Sequence, residues 1–456
     1  MSTSPIPPPA FSGVSTYSND FQQVLTRAVA IASLPMQQME NEVVTLTGQE
    51  TTLSGLQSTF SSLQTAIQNL GTAQSAMSAT VSDPSTVSAA ASSSALPGTY
   101  SIQVTSLGSA TTTLSNAGTP PVTDPTSQDI SSSNSFTLTI NGTATTITPS
   151  GSSLDDLANA INSSGLAVQA TIVNVGSNAS PDYRLSIVSN NLAADTIQLN
   201  DGTSDLLTTL STGAPATYQV DGLSTTIQSN SQQVTLSPGL TVNLLNTNVG
   251  AWDTITVAPD TNSLSSGLSN LVTAYNAVVD ALNQQHGQNA GALAGSSLIN
   301  SLGEALQSIS LYTSGSGSVS SIANLGLTLD ETGHLSFDPT QLASVNAAAI
   351  QQFLGSSTSG FLGAATNAMT AVADSTSGLI QSNITQVQSE ITNENTLISQ
   401  QQDQITTLQT NMEQQLSAAD AAIAVLQQQV TMMADLFTAQ YGSNANSNTT
   451  SSLPGG

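Results

Sequence analysis

Few side chains in this 456-residue sequence could carry covalent or metal chemistry. There is no cysteine and no lysine; the only basic side chains besides two histidines are Arg27 and Arg184. Thiolate nucleophiles, disulfides, cysteine metal sites, P-loops and Schiff-base lysines are therefore excluded. His286 stands in a Gln-rich stretch and His334 in an expected hairpin, far apart in sequence. A metal site needs such residues clustered with carboxylates, so both read as solvent-exposed. Asp155 and Asp156 form a carboxylate pair, but their place at a helix start suits dipole compensation better than acid–base work. Asp330-Glu331-Thr332-Gly333 with Asp338 has some likeness to a calcium loop. It lacks the alternating oxygen ligands and terminal Glu of one, and Leu327, Leu329, Leu335 and Phe337 around it point to a β-turn. Arg184 is expected to pair with Asp182 or Asp195, as a local contact or a contact between subunits. Trp252, beside Asp253 at a turn, reads as a hydrophobic plug. No catalytic, cofactor-binding or metal residues emerge, and the chain does not read as an enzyme.

Composition narrows the partners. The formal charge is −26, from 28 acids against two arginines, yet charged residues are only 7% of the chain, against about 25% in an average soluble protein. The sequence is depleted in bases rather than enriched in acids, and Ser, Thr, Asn and Gln fill the gap. Such a chain is repelled by phosphates, so nucleic acid is excluded as a partner. Docking on an anionic membrane through a basic patch fails for the same reason. No run of eighteen apolar residues predicts membrane insertion. The segment Met1 to Ala10 has neither a basic nor an apolar region of the kind a cleavable secretory signal needs.

With no reactive centre, the informative residues are those at regular spacing. Leu53, Leu56, Phe60, Leu63, Ile67, Leu70 and Met77 recur at alternating steps of three and four, with Gln74 filling one place. This is an a/d stripe that needs a partner helix. Near the other end, Ile384, Val387, Ile391, Ile398, Ile405, Leu408 and Met412 hold a second such register, interrupted by Glu394 and Gln401. Ala419, Ala422, Leu426 and Met433 continue it. The stretch from about Gly378 to Tyr441 contains no proline, and a helix of that length is about 90 Å long. The two stripes predict either a helical hairpin within one chain or a bundle between chains. Their flanks carry Gln, Ser and Thr, so shape and hydrogen bonds must choose the partner. Pro35 is expected to interrupt the first helical stretch, and residues 1–18 read as a disordered arm.

Between the helical ends the period becomes two. Tyr100, Ile102 and Val104 alternate with polar residues, and Phe136, Leu138 and Ile140 lead into Asn141-Gly142, a strong hairpin signal. Ser153 and Asp156 resemble a capping pair opening a helix with Leu154, Leu157, Ala158 and Ile161 on its apolar face. Strands are expected at 167–175, 184–189, 216–221, 234–236, 240–245 and 254–258, after which Leu264, Leu268, Leu271 and Tyr275 restore the helical period.

The order of these elements resembles the bacterial flagellar filament cap proteins, the flagellar hook-associated protein 2 family. The phrases that carry the likeness are Leu96-Pro97-Gly98-Thr99-Tyr100, Phe136 to Gly142, Leu154-Asp155-Asp156-Leu157, Tyr183-Arg184-Leu185, Pro238-Gly239-Leu240-Thr241-Val242 and Leu271 to Val279. Ser12-Gly13-Val14 departs from the family's opening phrase, and the basic residues usual in its coiled coil are missing. The resemblance implies an α+β multidomain fold: a discontinuous terminal coiled-coil or helical-bundle leg with two inserted β-rich lobes. The expected division is an arm and terminal helix at 1–38 and a coiled-coil leg at 39–85. A head lobe follows at 86–125 and 210–259, with an outer lobe and short helix inserted at 126–209. A helical leg domain at 260–436, with a hairpin near 325–338, and a flexible tail at 437–456 complete it.

The resemblance further implies export through the flagellum's own apparatus, with an export chaperone, and location outside the cell at the filament tip. There a homo-oligomeric ring, often a pentamer, helps flagellin fold and insert. On that reading Leu53, Leu56, Phe60, Leu63, Ile67, Leu70, Ile391, Ile398, Ile405, Leu408 and Met412 form the seam that faces flagellin and neighbouring subunits. Another axial component (a flagellin or hook–filament junction protein) and an extracellular adhesin are the rival readings.

Overall fold

The computed structural model describes residues 10–287 and 290–445. The chain divides into a helical unit, built from residues before 70 and after 267, and a β-rich unit, Leu70–Gly267. It opens with α1 (Ser18–Ala32) and α2 (Leu34–Gln74). Pro35 does not interrupt them as expected: it sits in the first turn of α2, where its missing N–H has no partner to lose. The break between the helices is Ser33 alone, whose N–H still reaches the Val29 carbonyl. Of the expected arm, residues 1–9 lie outside the described residues, whereas residues 11–15 are held against the C-terminal helix.

The β-rich unit contains two lobes. The first is built on β1 (Met77–Val81), β2 (Val87–Ala91) and β3 (Gly98–Ser106). The second holds β4 (Thr112–Ser115), β5 (Phe136–Ile140), β6 (Thr143–Ile147), α3 (Leu154–Asn162), β7 (Val168–Asn174), β8 (Tyr183–Ser189), β9 (Ile197–Asn200) and β10 (Leu207–Ser211). The chain then returns to the first lobe through β11 (Ala216–Val220), β12 (Ile227–Ser229), β13 (Gln233–Ser237), β14 (Leu240–Leu244) and β15 (Asp253–Pro259). Sheets ordered β1-β15-β3-β11-β12 and β13-β14-β2 enclose the first core, which includes Ile102, Val104, Leu240, Val242 and Ile255. Sheets ordered β10-β4-β8-β7 and β6-β5-β9, with α3, enclose the second around Phe136, Leu138, Leu157, Ile161, Leu185 and Ile187.

Several expected boundaries move. The coiled coil does not run to residue 85, because α2 ends at Gln74 and Met77 pairs with Pro259 as the first residue of β1. The outer lobe does not begin at 126: β4 pairs with β8 and β10, and a bridge from Ser109 to Ala214 marks its neck. Asn141 and Gly142 adopt positive φ (49° and 82°), as a two-residue hairpin turn requires. The Asn141 amide also binds across the lobe, accepting from the Thr196 N–H (2.9 Å) and donating to Asp195 (2.7 Å). Ser153 and Asp156 form the full capping box that opens α3.

The helical unit resumes with α4 (Thr261–Asn283), which begins in the β-rich unit, and α5 (Ser297–Ser310). A 3-10 turn (Ile322–Leu325) leads to a hairpin of β16 (Leu327–Leu329) and β17 (Leu335–Phe337). Short α6 (Pro339–Ala343), α7 (Ala347–Leu354) and α8 (Gly360–Ala373) precede α9 (Leu379–Ala445), 67 residues long. The Asn276 side chain of α4 holds the hairpin by exchanging two 2.8 Å hydrogen bonds with the Leu335 backbone. Tyr312, Phe353 and Phe361 pack as an aromatic cluster with centroids 5.7–5.9 Å apart. Residues 437–445 are helix rather than flexible tail, since no proline interrupts them; residues 446–456 of that expected tail lie outside the described residues.

Candidate assembly surface

The stripe on α2 is buried throughout: Leu53, Leu56, Phe60, Leu63, Ile67 and Leu70 are all but inaccessible. On α9, Ile398 and Ile405 are equally buried, Ile391 and Met412 partly so, and Leu408 faces outward at 38% exposure. Leu25 and Val29 of α1, with Met36 at the start of α2, form one cluster with Ile398 and Ile405, extended by Phe11, Met412 and Leu416. The pairing is antiparallel. Ser15 meets Asp420, the Ala32 carbonyl meets Gln401, Glu50 meets Gln388 and Gln57 meets the Ala373 carbonyl. The apolar seam is thus closed within one chain, by amide hydrogen bonds where coiled coils ordinarily use ion pairs.

That closure bears on the expected role of the seam. Leu53, Leu56, Phe60, Leu63, Ile67, Leu70, Ile398 and Ile405 are buried by their own chain, whereas Ile391, Leu408 and Met412 keep part of their surface. The most exposed large apolar residues of α9 lie further on, at Val425, Leu426, Val430, Met432, Met433, Leu436 and Phe437. The heptad continuation through Leu426 and Met433 was the signal for them in the sequence.

Asp420, 3% exposed, fastens the start of α1 to α9. Its carboxylate accepts the Val14 N–H at 2.6 Å, the Ser15 N–H at 3.2 Å and the Ser15 hydroxyl. The Ser15 hydroxyl and then these two amides hold its pKa below the ordinary value. A Cβ at Gly13 would stand 2.5 Å from that carboxylate, so only glycine allows the approach. Gln427 adds a 2.6 Å bond to the Thr16 hydroxyl. This clasp joins residues some 400 positions apart, and nothing in the sequence marks it.

Buried acids elsewhere follow the same rule in this nearly base-free chain. Asp253 takes donors from Thr86, Asn248 (2.6 Å) and Ser82 (3.3 Å), and Asp195 takes them from Asn141 and Ser189. Hydroxyls and amides do the work that Lys and Arg do in most proteins. Arg184 pairs with Asp182, its Nη2 2.7 Å from Oδ2. Asp330 is a turn acid: it accepts from the Thr332 hydroxyl (2.6 Å) and the N–H groups of Thr332 and His334, which lower its pKa. His334 is not simply exposed. It is half-buried, its Nε2 3.0 Å from Asp280 and its Nδ1 2.8 Å from Thr332. His286 is exposed. Trp252 is no plug, being 39% exposed at the turn before β15. Among the described residues no three His, Asp or Glu side chains are grouped to hold a metal, and no helix is long and apolar enough to cross a membrane.

With this architecture in hand, known proteins place it. Two family models, flagellar hook-associated protein 2 N-terminus and C-terminus, match residues 18–111 and 213–428. Between them the flagellin hook IN motif matches residues 137–191, within the second β lobe. The two hook-associated protein 2 models together cover well over half of the sequence, and the chain belongs to the flagellar hook-associated protein 2 family. Flagellar hook-associated protein 2 of Escherichia coli K12 is 26% identical over 297 residues, 58% of this chain and 62% of that protein. The B-type protein of Pseudomonas aeruginosa PAO1 is 28% identical over 304 residues, 59% of this chain and 63% of that one. The chain thus matches about six-tenths of the length of these curated relatives. Among solved structures, the D1-D2-D3 domains of the flagellar cap protein FliD from Escherichia coli match with a TM-score of 0.59 and 27% identity. That match covers 74% of this chain and 99% of the other.

Proposed function

We propose that this chain is a structural capping protein at the distal tip of the bacterial flagellar filament, outside the cell. It assembles as a ring, keeps exported flagellin from escaping, and gives it a confined place to fold and insert, so that the filament elongates and the cell swims. The observation that carries this reading is the match to 99% of the solved D1-D2-D3 domains of the Escherichia coli cap protein, with helices at both ends of the sequence and two β lobes between them in chain order. The work is steric confinement and reversible docking, not catalysis. A pentameric ring, flagellin, the flagellar export apparatus and an export chaperone are the partners this reading requires. The buried seam, Leu53 to Leu70 with Ile391, Ile398, Ile405 and Met412, serves it by holding the helical unit together. Partner contacts then fall to the exposed residues of α9, Leu408 among them.

Deleting the gene tests the proposal. Cells should release flagellin into the medium and build no long filaments, and the wild-type gene should restore growth. Normal filaments in the deletion strain would overturn it. An adhesin would leave filaments intact when deleted, and a flagellin would leave no flagellin-like subunit in the medium.

A further inference from the structure

The β16–β17 hairpin is fastened to one face of α4 at two points a helical turn apart. Asn276 exchanges its two hydrogen bonds with Leu335, and Asp280 meets His334. The tip of the hairpin forms one wall of a cleft of about 600 Å³. Leu329, Thr332 and Gly333 line that wall; Val279 and Leu282 of α4 and Ile299 of α5 line the others. Gly333 lies over Val279: a Cβ there would stand 3.9 Å from the valine Cγ1. Val279 is left 7% exposed.

The second fastening fits one ionisation state. The Thr332 hydroxyl is 2.6 Å from Asp330 Oδ1 and 2.8 Å from His334 Nδ1, and His334 Nε2 is 3.0 Å from Asp280 Oδ1. The Thr332 hydroxyl and the His334 N–H hold the Asp330 pKa below the ordinary value, so this carboxylate is ionised and takes the single hydroxyl proton. Nδ1 must then donate to the hydroxyl oxygen, and Nε2 must donate to the Asp280 carboxylate. Only an imidazolium carries both protons. A neutral ring either turns a lone pair on Asp280 or draws the hydroxyl proton away from Asp330, and each choice loses a charge-assisted bond.

We propose that the β16–β17 hairpin is a proton-operated lid. It closes over the α4–α5 cleft while His334 carries both ring protons, and swings about the Asn276–Leu335 pair when one is lost. Asp280 on α4 and Asp330 in the turn are the charges that face the ring network. Around the same cleft stand Tyr275 and His286 of α4 and Glu304 of α5, with Glu331 following in the turn. Opening bares the apolar wall at Val279; closing covers it again. The lid is confined to the helical unit and does not depend on the capping role.

Two histidines and no cysteine make both halves of the test clean in the full-length chain. Ring-nitrogen NMR of histidine-labelled protein, with His286→Gln to assign the two signals, reports when His334 loses a proton. Val279→Cys reports the lid, by its rate of modification with a thiol reagent divided by the rate at the exposed position of Ser224→Cys at the same pH. Circular dichroism checks that each variant is folded. The relative rate should rise several-fold as pH rises, with the midpoint of the His334 titration. Adding His334→Ala or Asp280→Ala should make it high throughout, whereas Thr332→Ser, which keeps the hydroxyl, should preserve the response. A relative rate that stays flat while the ring loses its proton would overturn the lid. So would a rise that survives in His334→Ala, which would put the switch in another group, or a ring already neutral while Val279 is still shielded.

Discussion

Replacing Leu63 by alanine should unfold one unit of this protein more easily and leave the other unchanged. Leu63 is wholly inaccessible, in the middle of the α2 stripe. Losing its buried methyl and methylene groups, with incomplete collapse around them, costs about 2–5 kcal/mol. The β-rich unit has two cores of its own, neither containing Leu63. Two probes separate the units: helical circular dichroism follows mostly the terminal helices, and the sole tryptophan, Trp252, lies in the β-rich unit. With a loss of about 3 kcal/mol and a urea slope of about 2 kcal/mol per molar, the helical midpoint should fall by about 1.5 M. The fluorescence midpoint should not move. If both transitions shift together, the units are not separately cooperative and the modular account is wrong. Leu63→Asp should go further, abolishing assembly with the strand signal retained.

The Asp420 clasp should open in acid. Its folded pKa is lowered below the ordinary 3.8, so its contribution is present above that value and is lost as pH falls through the lower folded value. Asp420→Asn should show at neutral pH the loss of amide protection at residues 14–16, measured against the intrinsic exchange rate at the same pH, that wild type shows only in strong acid; unchanged protection would mean the clasp does not hold the segment. Gly142→Ala puts a side chain at φ 82° and should cost the second β lobe about 1 kcal/mol, read as a lower melting temperature in calorimetry; an unchanged melt would contradict the turn assignment. Ring formation should persist, or improve, as salt rises, because screening weakens the repulsion between copies and the contact is nearly uncharged. Dissociation at moderate salt, measured by sedimentation, would mean that ion pairs hold the ring.

What could be read from the sequence was what local periodicity encodes. The Leu53–Leu70 stripe, the Asn141-Gly142 hairpin and the Ser153–Asp156 cap each carry their signal within a few residues. Met77 misleads because it falls at the right heptad spacing just after the helix has ended. β1 (MSATV) and β2 (VSAAA) are rich in small residues with no strong strand preference, and pairing with β15 and β14 decides them. The neck of the outer lobe lies earlier than expected because β4 takes its partners from strands some seventy to a hundred residues on. The stripes were legible as seams, but not which parts the chain would cover itself. That depends on where the N-terminal partner begins, and Asp420, gripping residues 14 and 15, marks the place.

The base-poor composition also gains a structural meaning. A buried carboxylate without Lys or Arg must find hydroxyl or amide donors, and Asp195, Asp253 and Asp420 each do so. Contacts of that kind depend less on ionic strength than ion pairs between exposed side chains.

The most direct test of the central claim is to locate the protein on growing flagella, by immunogold labelling of this chain in electron micrographs of intact cells. A cap predicts one focus of label at the distal end of each filament, moving outward as the filament lengthens. Label spread along the filament, or confined to its base, would contradict the account.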